Sequence, residues 1–260
     1  MTSPELSPRP GDFASYPSLK DRVIFITGGG SGIGAAMVTA FTNQGAKVAF
    51  VDIDDRASKK LVATLGKSPA FLHCDLTDID ALKAAVAKAA KKLGPIGVLV
   101  NNAARDTRMN AEEITAEAWD AAMHENLRHQ FFAAQAVHPH MKKLGSGSII
   151  NFSSIAWMAG GPEFVPYATA KAAVVGLTNS LARLYGDDNI RVNAIAPGAV
   201  VTEKQLRLWY NEEQAAQFAA RQALHHRLLA DEVARLALFL AADDSRMITK
   251  QCFVIDAGLR

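Results

Sequence analysis

The feature that most constrains the fold of this chain is a regular alternation of short apolar runs with segments of helical length. The apolar runs are rich in β-branched residues and occupy positions 23–27, 47–52, 70–75, 98–103, 148–154, 191–197 and 251–256. The helical segments occupy positions 32–44, 56–65, 78–93, 115–144, 163–185, 203–220 and 231–242. Strands that are almost wholly apolar suit a parallel sheet buried on both faces. The alternation predicts an α/β fold: a single-domain, Rossmann-like, doubly wound sheet of about seven parallel strands with helices on both faces.

Composition excludes several other classes of protein. The 260 residues include 28 Lys and Arg, 26 Asp and Glu and 2 Cys, which leaves a net charge of +2. This balance argues against a nucleic-acid partner, and the sequence has no apolar run long enough to span a membrane. Cys74 and Cys252 form neither a disulfide framework nor a zinc motif, so we expect a cytoplasmic protein without a metal.

The first residues of the chain differ from the rest. Residues 1–18 contain Pro4, Pro8, Pro10 and Pro17 and have no apolar core. Such a segment is not a signal peptide, and we expect it to form a flexible or extended arm. No low-complexity linker interrupts the remainder, so residues 19–260 are predicted to form one domain.

A glycine-rich turn follows the first predicted strand and opens the first predicted helix. Its residues are Gly28, Gly30, Ser31, Gly32, Ile33 and Gly34. Glycines let the backbone approach a diphosphate, whose charge is stabilised at a helix N-terminus. Asp52 ends the next strand, 18 residues after Gly34, where an acid can bind an adenosine ribose and repel a 2′-phosphate. These residues favour NAD as the cofactor, and the glycine spacing argues against an S-adenosylmethionine site.

Tyr167 and Lys171 are four residues apart in a predicted helix, and Ser154 precedes Tyr167 by 13 residues. Positions i and i+4 share one helix face, where a cation lowers the pKa of a phenol and makes it a usable base. Ser154 ends a buried strand, and ligands bind at the carboxyl ends of parallel strands. A Tyr and a Lys at this spacing also occur on ordinary helices, but together with Ser154 they predict a catalytic group.

With these motifs the chain resembles the short-chain dehydrogenase/reductase family over about residues 19–258. The resemblance rests on the TGGGSGIG turn at 27–34, the NNAA segment at 101–104, the Ser154, Tyr167 and Lys171 set, and the PGAVVT segment at 197–202. Ala104 departs from the family, which usually has glycine at that position. The resemblance implies an enzyme whose nicotinamide cofactor performs the hydride chemistry while the protein orients it.

The resemblance also implies a role for each matching residue. The implied catalytic residues are Asn126, Ser154, Tyr167 and Lys171. Tyr167 is the general acid or base, and Lys171 lowers the pKa of Tyr167 and holds the nicotinamide ribose. Ser154 orients the substrate oxygen, and Asn126 supports a water that links Lys171 to solvent. Besides the glycine-rich turn, Asp52, Tyr167 and Lys171, the implied cofactor-binding residues are Asp75, Leu76, Asn102, Ala103, Pro197, Gly198, Val200 and Thr202. A lid at about 202–220 and a homotetramer built on the two long helices are implied as well.

Several segments resemble bacterial sugar dehydrogenases of this family, in particular those of the D-xylose 1-dehydrogenase type. They occupy positions 16–20, 126–129, 150–157, 204–210 and 255–260. A sugar site needs several polar side chains and an aromatic wall, and the candidate substrate-binding residues are Arg105, Arg108, Trp157, Gln205 and Trp209. Packing roles for the two Trp residues and solvated positions for the two Arg residues fit the sequence equally well.

Four functions are open at this point. The first is NAD-dependent oxidation of an aldose at C1 to its lactone. The second is oxidation of a secondary alcohol on a sugar acid or 2-keto-3-deoxy sugar acid, with Arg105 or Arg108 binding the carboxylate. The third is a 3-oxoacyl-thioester reductase, against which Asp52 counts because that class usually takes NADPH. The fourth is a dinucleotide sensor or scaffold, against which the set of Ser154, Tyr167 and Lys171 counts.

Overall fold

The computed structural model describes residues 13–66, 68–202, 217 and 220–260. Seven of its nine strands form one parallel sheet. The strands are β1 (Val23–Thr27), β2 (Lys47–Asp52), β3 (Ala70–His73), β4 (Val98–Asn101), β5 (Gly147–Phe152), β6 (Ile190–Pro197), β7 (Val200–Val201), β8 (Leu228–Leu229) and β9 (Cys252–Ile255). The large sheet has the order β3-β2-β1-β4-β5-β6-β9, and β7 pairs separately with β8. The predicted seven-stranded parallel sheet is confirmed.

Helices connect the strands in the described part of the chain. They are α1 (Gly32–Asn43), α2 (Asp55–Thr64), α3 (Ile79–Leu93), α4 (Ala116–Met123), α5 (His129–Leu144), α6 (Ala156–Ala159), α7 (Val165–Tyr185) and α8 (Ala230–Ala241). The one helix predicted over 115–144 is two helices, because a π turn over His124–Arg128 separates α4 from α5. The predicted helix over 203–220 lies largely outside the described residues, as do residues 1–12 of the predicted arm.

Local side-chain chemistry explains where several helices begin and end. Asp78 accepts hydrogen bonds from the N–H groups of Asp80 and Ala81 at 3.0 Å, which satisfies the first turn of α3. Thr115 caps α4 in the same way through the N–H of Ala118 at 3.2 Å. Helix α5 ends at Gly145, whose φ of 71° is a left-handed conformation that glycine adopts without strain.

Two apolar clusters cover the two faces of the sheet. On one face, side chains of α1 and α8 such as Phe41 and Val233 pack on β1 and β2. On the other face, side chains of α3, α5 and α7 such as Leu82 and Val137 pack on β1, β4 and β5. Coverage of both faces explains why all five residues of β1 are buried and why the strand sequences do not alternate.

The strand order places the site at one edge of the sheet. The order reverses direction between β1 and β4, and a crevice at such a reversal, beyond the carboxyl ends of the strands, is where open α/β sheets bind ligands. The glycine-rich turn follows β1, Asn102 follows β4 and Ser154 follows β5. In the described ranges, no helix is both long enough and apolar enough to cross a membrane.

Candidate active site

The glycine-rich turn is packed so closely that side chains would not fit. A Cβ at Gly30 would lie 2.5 Å from Ser58 Oγ and 2.9 Å from Asp52 Oδ2, and one at Gly28 would lie 2.8 Å from Ala103 Cα. A Cβ at Gly34 would collide with the main-chain oxygen of Gly28. The backbone of the turn is therefore bare and leads directly into the N-terminus of α1, as a diphosphate requires.

Asp52 lies at the end of β2 directly against this turn. Its Oδ2 accepts a hydrogen bond from Gly30 N at 2.8 Å, and its Oδ1 accepts one from Asp54 N at 2.9 Å. Ser58 Oγ is buried beside Gly30 and has no hydrogen-bond partner among the described residues. An acid and an unpartnered hydroxyl at this place fit the ribose end of a dinucleotide.

The segment after β4 braces the turn. Asn102 Nδ2 donates to the main-chain oxygens of Thr27 at 3.1 Å and Gly28 at 2.9 Å. The N–H groups of Asn102 and Ala103 both donate to Thr27 Oγ1, at 3.0 and 3.1 Å. These bonds fix the turn at the point where β1 and β4 pair.

The remaining predicted cofactor residues surround the same edge. Pro197 ends β6, Val200 is buried in β7, and Thr202 Cγ2 lies 3.3 Å from the position of a Cβ on Gly32. Gly198 packs on Asp256, whose Cβ would be 2.7 Å from a Cβ at that glycine.

Asp75 follows β3 and accepts hydrogen bonds from Thr77, which lower the pKa of its carboxyl group. Leu76 packs against the core beneath α3.

Ser154, Tyr167 and Lys171 come together between β5 and α7. The hydroxyl groups of Ser154 and Tyr167 share a hydrogen bond, and Ser154 Oγ also accepts one from Ala156 N at 3.1 Å. Lys171 Nζ lies 5.6 Å from the centre of the Tyr167 ring and donates to the main-chain oxygen of Phe152 at 2.8 Å. Lys171 is 1% exposed, so these protein contacts replace the water that would otherwise solvate its amine.

The charge states in this group differ from the sequence-based expectation. We expected Lys171 to lower the pKa of Tyr167, but burial raises the pKa of Tyr167 to about 12, the Ser154 hydrogen bond opposes this only in part, and Asp106 raises it further. Burial also lowers the pKa of Lys171 to about 7, against the opposing effect of Asp106. Desolvation penalises the charged form of each group, which raises the pKa of the phenol and lowers the pKa of the amine.

Asn126 lies in the π turn and holds the loop after β4. Its Oδ1 accepts from Arg105 N at 2.9 Å, and its Nδ2 donates to the main-chain oxygens of Arg105 at 3.1 Å and Ala122 at 2.9 Å. The side chain is therefore used to position the loop. The main-chain oxygen of Asn126 faces Gln130 instead, at 3.2 Å from Nε2.

The predicted substrate residues have mixed positions. Arg105 forms an ion pair with Glu125 at 3.3 Å, and Arg108 forms one with Glu163 at 3.6 Å. Trp157 lies on α6, just after Ser154, and is 38% exposed. Gln205 and Trp209 lie outside the described residues. Among the described residues, no three His, Cys, Asp or Glu side chains are grouped as metal ligands would be.

The structure adds three groups to those proposed from the sequence and gives Asp106, a polar candidate after the fourth strand, a defined effect. Asp106 raises the pKa of both Tyr167 and Lys171, and the Phe164 ring lies 6.2 Å from the Tyr167 ring. His129 and Gln130 are fully buried beside Asn126. His129 and Gln130 could have been found from the sequence as a polar pair on the otherwise apolar buried face of α5. The main-chain oxygen of Phe152 could not, because a main-chain atom has no residue type of its own.

The comparisons with known proteins agree with this geometry. A family model described as "Enoyl-(Acyl carrier protein) reductase" matches residues 28–260. A Rhizobium meliloti (strain 1021) protein named "Probable galactose dehydrogenase GalD" is 52% identical over 95% of this chain and 98% of its own length. The D-xylose 1-dehydrogenase of Caulobacter vibrioides (strain NA1000 / CB15N) is 46% identical over 95% of this chain and 99% of its own length.

A solved structure leads to the same family. A candidate short-chain alcohol dehydrogenase from Sinorhizobium meliloti 1021 superposes with a TM-score of 0.88 at 29% identity, over 94% of this chain and 98% of the other. The chain belongs to the short-chain dehydrogenase/reductase family and is an oxidoreductase that acts on CH–OH groups.

Proposed function

We propose that this protein is an NAD-dependent dehydrogenase that oxidises an aldose at C1 to its lactone. The observation that carries the proposal is the hydrogen-bonded Ser154 and Tyr167 pair, with buried Lys171 beside it, at the sheet edge that also presents the glycine-rich turn. Relatives named for galactose and D-xylose support a sugar as the substrate class. A 3-oxoacyl-thioester reductase has weaker support, because a relative named for that activity is 38% identical to this chain, against 52% and 46% for the two sugar dehydrogenases.

Each residue of the group has a role in this reaction. Ser154 orients the sugar hydroxyl, and the Tyr167 oxygen takes the proton of that hydroxyl as a general base. Lys171 supplies positive charge beside the phenol and donates to the ribose of the cofactor. Asn126 positions the loop that starts at Arg105. When bound, the nicotinamide accepts the hydride from the sugar carbon.

Asp52 supports NAD over NADP. Its carboxylate lies against Gly30, and a 2′-phosphate at this place would meet like charge. The cofactor would be held by the glycine-rich turn, Asp52, Asn102 and Ala103 on the adenosine side, with Asp75 and Leu76 flanking the adenine. Pro197, Gly198, Val200, Thr202, Tyr167 and Lys171 would hold the nicotinamide side.

The charges around the substrate side favour a neutral sugar over a sugar acid. A carboxylate clamp needs an Arg that offers both N–H pairs, yet Arg105 and Arg108 each lie on an acidic partner. The guanidinium of Arg108 also stacks over the Phe164 ring at 5.1 Å. Oxidation of a sugar acid is therefore the second candidate, and it requires one of these ion pairs to open.

A substrate panel tests the proposal. Purified protein is assayed with NAD+ and with NADP+ against pentoses, hexoses, sugar acids and a 3-oxoacyl thioester, with absorbance at 340 nm as the readout. We expect turnover with neutral aldoses and NAD+, at a rate that rises with pH because the phenol of Tyr167 must lose its proton first. Turnover confined to sugar acids or to thioesters would overturn the aldose assignment.

Tyr167→Phe tests the catalytic role directly. Removal of the phenol oxygen is expected to lower kcat by about a thousandfold, while NAD+ binding measured by calorimetry changes little. Tyr185→Phe, a buried tyrosine near the end of the same helix, serves as the control. Wild-type turnover in Tyr167→Phe would contradict the role of this residue.

We propose further that the protein is a cytoplasmic homotetramer joined through α5 and α7. Exposed apolar side chains on these two helices support this, among them Phe131, Val165 and Leu184. We also propose that residues 1–18 form an arm and that residues at about 202–220 form a lid. Near the end of the predicted arm, the main-chain N–H of Tyr16 donates to Gln44 Oε1, just after α1, at 2.8 Å.

A further inference from the structure

Gln130 lies beneath the catalytic group and contacts it through two main-chain oxygens. The side chain is fully buried on the first turn of α5. Its Nε2 donates to the oxygen of Asn126 at 3.2 Å and to the oxygen of Phe152 at 3.4 Å. Both neighbours are carbonyl groups, which only accept, so the amide must present its N–H₂ end to them.

The second of these oxygens is the one that holds the catalytic lysine. Lys171 Nζ donates to the oxygen of Phe152 at 2.8 Å, so Gln130 and Lys171 share one acceptor. Phe152 ends β5, two residues before Ser154. The Gln130 side-chain amide therefore links the Phe152 oxygen, which accepts from Lys171, to the π turn that contains Asn126.

The π turn gives this amide a specific task. A π turn pairs residue i with i+5, which displaces its carbonyl groups from the donors that an α-helix supplies. In this turn the oxygen of Asn126 accepts a hydrogen bond from the Gln130 side chain. An apolar residue at position 130 would leave two buried carbonyl oxygens with fewer donors, which is costly in a dry interior.

The charged and titratable groups around Lys171 come from three elements. Tyr167 lies one turn before it on α7, His129 faces it from the start of α5, and Asp106 faces it from the loop after β4. His129 is fully buried, and within the described part of the chain neither ring nitrogen makes a hydrogen bond of good geometry. At neutral pH the imidazole is neutral, because burial and the charge of Lys171 lower its pKa to about 3.

We propose that Gln130 is a positioning residue that sets the place and the charge of the Lys171 amine through the oxygen of Phe152, which the two side chains share. This inference rests on the proposed function, since it assumes that Lys171 assists Tyr167. Competition from Gln130 for the Phe152 oxygen limits how strongly that oxygen stabilises the ammonium. The amide thereby limits how far the Phe152 oxygen draws the amine away from the phenol.

Gln130→Met tests the inference because methionine has a similar volume and cannot donate a hydrogen bond. Without the amide, the Phe152 oxygen attracts the ammonium more strongly, so the charged lysine is stabilised and Tyr167 loses its proton at lower pH. We expect the acid limb of kcat/KM for aldose oxidation to move to lower pH by about half a unit or more. We also expect kcat to fall by about tenfold because the amine is displaced, with KM for the sugar changed less than kcat.

Controls separate this role from general damage to the fold. Gln135→Met changes an exposed residue on the same helix and is expected to leave the pH profile unchanged. If Gln130→Met does not fold, Gln130→Leu removes the same amide and replaces it in the assay. A pH limb that stays at its wild-type position or moves to higher pH, at unchanged kcat, would overturn the inference even if the variant were less stable. Failure of the proposed function is seen separately, as a wild-type protein that turns over no neutral aldose with NAD+.

Discussion

At the scale of single residues, the site depends on a few side chains whose surroundings change their chemistry. Asp52 is one of them, because its carboxylate accepts from Gly30 and from Asp54 and so has a fixed direction. Lys171 is another, because burial lowers the pKa of its amine to about 7. Each charge is placed by a main-chain group: Gly30 N–H holds the Asp52 carboxylate, and the Phe152 oxygen holds the Lys171 amine.

Asp52→Asn is expected to weaken the preference for NAD. The amide keeps an acceptor for Gly30 N and removes the negative charge that repels a 2′-phosphate. We expect the ratio of kcat/KM for NAD+ to that for NADP+ to fall by about tenfold or more, which corresponds to about 1.4 kcal/mol. Asp54→Asn is the matched control, since asparagine also caps a helix and this residue is exposed. Equal changes in both variants would show that Asp52 has no specific role.

His129 is expected to make the fold sensitive to acid. Its pKa is about 3 in the folded protein and near its ordinary value of 6.5 when unfolded. The unfolded chain therefore binds one more proton between these pH values, so stability is complete above pH 6.5 and is lost as pH falls toward 3. His129→Asn is expected to reduce the pH dependence of the unfolding free energy by about 1.4 kcal/mol per pH unit in that window. Urea unfolding between pH 4.5 and 7 measures it, with His140→Asn as the control. An unchanged slope would contradict the expected proton uptake.

At the scale of elements, the π turn between α4 and α5 is the local irregularity that builds the site. It directs Asn126 toward the main chain of Arg105, and so ties the loop after β4 to the helical layer. π turns are rare inside helices and occur frequently at functional sites. This irregular turn therefore connects the loop after β4 to the buried residues around Lys171.

Asn126→Ala is expected to loosen the loop after β4. The variant loses buried hydrogen bonds to Arg105 and Ala122, and the unfolding free energy is expected to fall by about 2 kcal/mol. Because Arg105 is among the proposed substrate-binding residues, KM for the sugar is expected to rise as well. Asn110→Ala, which removes a hydrogen bond to Glu112 in an exposed part of the same loop, provides the comparison. Wild-type KM in Asn126→Ala would show that the loop does not need this anchor.

At the scale of the whole molecule, the sheet is covered on both faces but the outer helices still expose apolar side chains. Leu184 on α7 is 65% exposed in the single chain, and the edge strand β9 is only partly buried. These surfaces are on the side of the sheet covered by α5 and α7 or at its edge. Apolar surface of this kind commonly marks an interface.

Leu184→Glu is expected to weaken self-association. A charge placed in an apolar interface must lose its hydration without gaining a partner. We expect the molar mass measured by light scattering at micromolar concentration to shift from tetramer toward smaller species. Met247→Glu is the control, because this residue is 88% exposed and lies outside α5 and α7. A wild-type tetramer in both variants would exclude Leu184 from the interface, and a wild-type monomer would remove the tetramer itself.

The order of residues was enough to predict the parallel sheet, the glycine-rich turn and the Ser154, Tyr167 and Lys171 set. Hydrophobic periodicity, glycine positions and residue spacing can all be read from residue type alone. Tertiary structure alone decided the charge states of Tyr167 and Lys171, the pairing of Arg105 and Arg108 with acids, and the shared acceptor of Gln130 and Lys171. These properties depend on burial and on main-chain atoms brought together from distant segments, and neither leaves a mark in the order of residues.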